Sequence, residues 1–135
     1  MRSQFCPGSN DSLAVAKTWL KDCLEHHAGV CTWLPSIYLK WVPTRLIEIG
    51  DRKLCLRKFD HQRAEISYFI LSYCRSTERK DEIKLTREKE TQFLRSIEFN
   101  DLSRTVADAI VVTRKQGYHY LWVDRLCIIQ GDDND

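Results

Sequence analysis

An apolar run, Tyr120-Leu121-Trp122-Val123, ends on a carboxylate, Asp124. A carboxylate at the end of a buried strand is a common ligand-holding position in α/β proteins. Burial there raises its pKa unless a partner or ligand compensates. Asp124 is therefore the candidate catalytic residue. Its other reading is structural, as a cap on the following turn or helix through backbone amides. Arg125 is a poor partner for it, because a continuing strand sends consecutive side chains to opposite faces.

Other groupings carry less chemistry. Cys23, His26, His27 and Cys31 are the nearest approach to a metal cluster, with Cys23, His27 and Cys31 as the weak ligand candidates. Zinc needs about four ligands, usually from paired knuckles, and no second pair is present; Cys23 also falls on the apolar side of its helix. A core cysteine beside histidines at a helix end is the better reading, and no metal site is expected. A Cys–His nucleophilic site could combine Cys74 or Cys127 with His61 or His119. No local signature surrounds either cysteine. Asp132, Asp133 and Asp135 suggest a calcium loop, but the spacing and distal Glu of an EF-hand are missing, so a solvated turn is expected. The five glycines form neither GxGxxG nor GxxxxGK[ST], and no cofactor is expected.

The elements that must position these residues are legible from periodicity. Residues 1–11 include Pro7-Gly8-Ser9-Asn10-Asp11 and read as a disordered start. Leu13, Ala16, Trp19, Leu20, Cys23 and Leu24 then recur at helical spacing, with N-caps available at Ser9 to Ser12 and a stop at Gly29. Trp33, Pro35, Trp41 and Pro43 mark a loop region. Arg45 to Ile49 and Lys53 to Phe59, separated by Gly50-Asp51, predict a β-hairpin. Tyr68 to Cys74 reads as a strand buried on both faces. A loop and a short helix around Thr86 to Arg95 follow. Leu102, Val106, Ala109, Ile110 and Thr113 define a helix over about 101–116, closed by Gly117, and the strand 120–123 comes three residues later. Strand, crossover, helix, strand implies a parallel pair with right-handed connection.

At 135 residues with 43% hydrophobic and 30% charged content, the chain is sized for one globular domain, over residues 12–135. Its net charge of +2 shows no clustered basic excess, which argues against nucleic acid. The most charged stretch, Arg75 to Glu90, holds six basic and five acidic residues and reads as a solvated surface. No apolar run approaches the ~20 residues that span a bilayer, and no signal peptide is evident. A cytoplasmic location with reduced cysteines is expected; Cys55, Cys74 and Cys127 in apolar runs read as small hydrophobes.

Five colinear segments resemble the heterokaryon-incompatibility (HET) domain of filamentous fungi: WLKDCLEHHAGVC (19–31), VPTRLIEIG (42–50), YFILSYCRS (68–76), LSRTVADAIVVTRKQG (102–117) and YLWVDRLCIIQGDD (120–133). Arg45, Leu46, Leu71, Ser72, Tyr73, Asp108, Ala109, Trp122, Asp124, Cys127 and Gln130 stand at positions of the family motif. The resemblance implies an α/β fold with a mixed or parallel, three-layer-like sheet of the Toll/interleukin-1-receptor or Rossmann type. It also implies a role in fungal nonself recognition and programmed cell death, through protein partners or self-association. Two alternatives accompany that reading: an NAD-cleaving enzyme, and a non-functional domain fragment. Arg75-Ser76 replaces the family Trp-Gly after Ser-Tyr-Cys, which is expected to reshape that loop. The chain reads as a short or C-terminally truncated member, ending before the helix on which a catalytic Glu would be expected.

Overall fold

The computed structural model describes residues 8–31, 42–59, 66–74 and 82–135. Residues 1–7, Trp33, Pro35, Trp41, His61 and the Arg75-Ser76 departure lie outside them. The chain divides into two compact units, Met1–Trp41 and Val42–Asp135.

In the first unit, helix α1 spans Asn10–His26, with Ser9 as N-cap accepting a hydrogen bond from the Ser12 amide through its side chain. The helix stops at His26 rather than at Gly29. Gly29 instead falls inside a four-residue helix, α2 (Ala28–Cys31). The predicted apolar stripe forms, but α1 has no buried residue, and Trp19 and Leu24 are 71% and 53% exposed.

The second unit is an α/β arrangement around a four-stranded mixed sheet, ordered β2-β1-β4-β3. Strands β1 (Arg45–Ile49) and β2 (Leu54–Lys58) make the predicted antiparallel hairpin. The Gly50 amide donates to the Lys53 carbonyl at 3.0 Å to close the loop, and a Cβ at Gly50 would sit 3.0 Å from that same oxygen. Strand β4 (Tyr120–Val123) runs antiparallel to β1 and parallel to β3 (Phe69–Leu71). The β-α-β reading of the chain is correct.

Register assigns the faces. Ile47 pairs with Leu56 and Leu121, and Leu121 with Phe69, so these side chains share one face with Arg45, Ile49, Leu54, Val123 and Leu71. That face packs on helix α4 (Arg104–Lys115) through Val106 and Ile110, on helix α3 (Glu90–Arg95) through Phe93, and on Leu85, Leu126 and Ile129. The opposite face carries Leu46, Glu48, Cys55, Tyr120 and Trp122.

Strand β3 departs from expectation. The run 68–74 is not buried on both faces: only three residues pair, β3 is the sheet edge, and Ile70 is 62% exposed. Cys74 is exposed as well, so it is not a packing residue. An apolar run is ambiguous between a central and an edge strand, because exposure depends on which neighbour arrives later in the chain.

Helix α4 follows its periodicity closely. Ser103 caps it by accepting from the Val106 amide, and Val106, Ile110 and Thr113 are buried. Leu102 and Ala109 pack against the core from its rim. The chain reverses at Gly117, with φ of 88°, and the Tyr118 amide donates back to the Thr113 carbonyl at 3.1 Å. Only glycine takes that left-handed conformation without strain. Gly117→Ala is therefore expected to destabilise the fold by about 1 kcal/mol, with a fall in melting temperature of roughly 5 °C by circular dichroism. An unchanged melting temperature would show that the turn can relax around a Cβ.

Candidate functional site

Ligand sites in α/β sheets gather beyond the carboxyl ends of parallel strands. Here that end lies beyond Leu71 and Val123, which pair in the parallel ladder. The next residues are Ser72 and Asp124, so two motif positions flank each other at the tip of the pair. Because β1 is antiparallel to β4, the start of β1 with Arg45 lies at the same end. Helix α5 (Asp124–Cys127) begins there directly. Of the predicted residues, Arg45, Ser72, Tyr73, Asp124, Cys127 and Gln130 thus share one end of the sheet. Trp122 and Leu46 lie within the strands, and Asp108 and Ala109 stand apart on α4.

Arg45 is the dominant group at this end. It shares the core face with Ile47 and Ile49 and is only 5% exposed. Its Nε donates to Glu90 Oε1 at 2.8 Å, and its Nη1 donates to both Asp135 carboxylate oxygens at 2.7 and 2.9 Å. Lys58 Nζ, on the paired position of β2, lies 3.8 Å from the same Glu90 oxygen. Burial acts to lower the Arg45 pKa, but hydrogen bonds and charge attraction from Asp135 and Glu90 outweigh it and leave it raised. Burial likewise acts to raise the Asp135 pKa. The Ile129 amide, donating at 2.6 Å, together with Arg45 and Arg87, reverses that and holds the carboxyl below its usual range. Asp132 is gripped in turn by Arg87. The acidic run is the expected exposed turn, but two of its aspartates, Asp132 and Asp135, are paired with arginines. Sequence reading missed the partners of Arg45, although a single Arg in phase with Ile47 and Ile49 on a buried face already demanded carboxylates.

Asp124 is half-buried at the first position of α5, where its Oδ1 accepts the Arg125 amide at 2.6 Å. This bond reaches only the adjacent amide; the N-cap of α5 is Val123, with no side-chain cap hydrogen bond. Its carbonyl also accepts from Gln130 Nε2 at 3.2 Å, and Gln130 Nε2 donates to the Ile128 carbonyl at 2.9 Å. Motif residue Gln130 thus fastens the exit from α5. Arg125 departs from expectation because the strand stops at Val123. Its side chain is buried, with Nε and Nη2 donating to the Ile83 and Glu82 carbonyls at 3.2 and 3.1 Å and Nη1 lying 3.6 Å from Glu82 Oε2. The backbone joins the same two segments, Leu85 N to Arg125 O and Gln130 N to Leu85 O, both at 2.9 Å.

The cysteines do not form a nucleophilic centre among the described residues. Cys127, the last residue of α5, is 3% exposed, with the Val123 amide donating to its sulfur at 3.4 Å. Burial pushes its thiol up to about 12, against the smaller opposing effect of the Val123 and Ile47 amides. It is a protonated core thiol at neutral pH. Its sulfur folds back along β4, 4.0 Å from the Leu121 carbonyl, and no contact joins it to a histidine among the described residues. In the first unit, His26 Nδ1 lies 2.9 Å from Asp22 Oδ1, and Cys23 is half-buried. The side chain of Cys31 lies outside the described residues. Asp108 is solvent-facing on α4, 3.8 Å from Arg104.

The family profile described as "Heterokaryon incompatibility protein (HET)" matches residues 68–135. The chain belongs to the HET family. The match begins at the residue before β3 and takes in the parallel pair, α4, α5 and the acidic turn; the similar segments at 19–31 and 42–50 lie outside it. No curated protein and no solved structure matches the chain.

The HET segment accordingly holds one inert cysteine and one accessible one. With iodoacetamide at pH 8, Cys74 is expected to be alkylated in the native protein and Cys127 only after denaturation, as read by peptide mass spectrometry. Rapid native labelling of Cys127 would contradict its burial.

Proposed function

We propose that this HET-domain chain acts in fungal nonself recognition leading to programmed cell death, from the cytoplasm, through contact with protein partners or copies of itself. The observation that carries this reading is the family match over 68–135. The chemistry at the motif positions is consistent with it. Arg45, Asp124, Cys127 and Gln130 are engaged in holding the sheet's end together, through an ion cluster, a bond to the adjacent backbone amide, a buried thiol and a carbonyl clasp. Such residues build a stiff surface that a partner can dock on with little rearrangement. No described helix is long and apolar enough to cross a membrane.

Asp124 remains the residue on which an NAD-cleaving activity would have to turn, since it is the motif carboxylate at the carboxyl end of the parallel pair. The two readings separate cleanly. Induced expression of the full chain in a filamentous fungal host is expected to arrest growth, while the purified protein leaves NAD intact over hours. Normal growth at good protein levels would overturn the death role. NAD hydrolysis that disappears in Asp124→Ala would replace recognition with catalysis.

A further inference from the structure

At the other end of the sheet, away from every motif residue at the strand tips, the β1–β2 loop faces the turn that follows α3. Between them lies a cleft of about 320 Å³, a volume in the range of small-ligand sites. Its base is firm. Leu54 and Ile97 are both buried and joined by an isolated antiparallel bridge, with the Ile97 amide donating to the Leu54 carbonyl at 2.8 Å. The loop on one side is held by the Gly50–Lys53 hydrogen bond and by Arg114 Nη2, which reaches from the end of α4 to the Gly50 carbonyl at 3.0 Å.

The lining combines three kinds of group. Arg52, Lys53 and Arg114 supply positive charge from two different elements. Phe99 lines the cleft with a side chain that is 43% exposed. Asp51 and Glu98 add carboxylates at the margins, with Glu98 accepting from the Ser96 hydroxyl at 3.4 Å. Cations bind phosphate. An exposed aromatic face stacks a planar ring, and carboxylates accept hydrogen bonds from sugar hydroxyls. A lone phosphate would leave Phe99 without a role. A purely apolar ligand would leave three cations unanswered.

We propose that this cleft binds a nucleoside monophosphate or a ligand of the same composition, with the ring on Phe99, the phosphate among Arg52, Lys53 and Arg114, and the ribose toward Asp51 or Glu98. The site is independent of the motif end and of the signalling reading. It involves no bond-making, and the three cations meet the charge of the phosphate.

The test is a titration of the 15N-labelled full chain with AMP, adenosine and inorganic phosphate, followed by amide chemical shifts. Saturable shifts are expected at Lys53, Glu98, Phe99 and Arg114, with AMP binding about tenfold tighter than either adenosine or phosphate. Phe99→Ala, and separately Arg52→Ser with Lys53→Ser, are each expected to weaken AMP about tenfold. These side chains are exposed, so the melting temperature should stay put and folding losses can be told from binding losses. Absence of saturable shifts at millimolar AMP, shifts centred elsewhere, or AMP no tighter than phosphate alone would each overturn the proposal.

Discussion

A guanidinium buried in the core face of a sheet dictates much of how this fold closes. Arg45 cannot lose its proton, so removing it from water is tolerable only if opposite charge comes with it. The chain answers with carboxylates from two distant places, Glu90 at the start of α3 and Asp135 at the far end of the acidic turn. One side chain thereby ties the first strand of the sheet to the crossover and to the last residues described. Asp135 passes the constraint on by accepting the Ile129 amide, and the following residue, Gln130, bonds Leu85 and the α5 carbonyls. Arg125 and Arg87 repeat the device nearby, on Glu82 and Asp132.

Helices and the hairpin were legible because their signals are local. Ser9 and Ser103 cap, Gly117 turns, and Val106, Ile110 and Thr113 recur on one helical face. The parallel pairing of 69–71 with 121–123 also followed, since strand–helix–strand leaves few alternatives. What was not legible depends on long-range choices. The burial of 68–74 was overestimated because nothing in YFILSYC reports that it ends as an edge. The arginine partners of Asp135 and Asp132 were not legible, because Arg45 and Arg87 stand 90 and 45 residues away. Arg125 was misplaced by extending a strand that stops one residue earlier.

The candidate site divides in the same way. Register alone brings Ser72 and Asp124 together at the carboxyl end of the parallel pair. Their roles were less visible, because a structural aspartate and a catalytic one are identical in sequence. The cleft beside Phe99 was not announced by any motif, although Gly50 and Arg114 fall inside family-like segments. It arises where the hairpin loop and the turn after α3 meet across the Leu54–Ile97 bridge, and no sequence spacing announces such a meeting.

The direct test of the Arg45 clamp is a double-mutant cycle with Arg45→Met and Asp135→Asn, measured by urea unfolding at pH 7 and again near pH 3. Asp135 has a depressed pKa, so its contribution is complete above the unfolded value of about 3.9 and is lost as the pH falls through the folded value. The clamp predicts a coupling of about 1 kcal/mol or more at pH 7, shrinking in acid. Coupling indistinguishable from zero at pH 7, with each substitution acting alone, would contradict it.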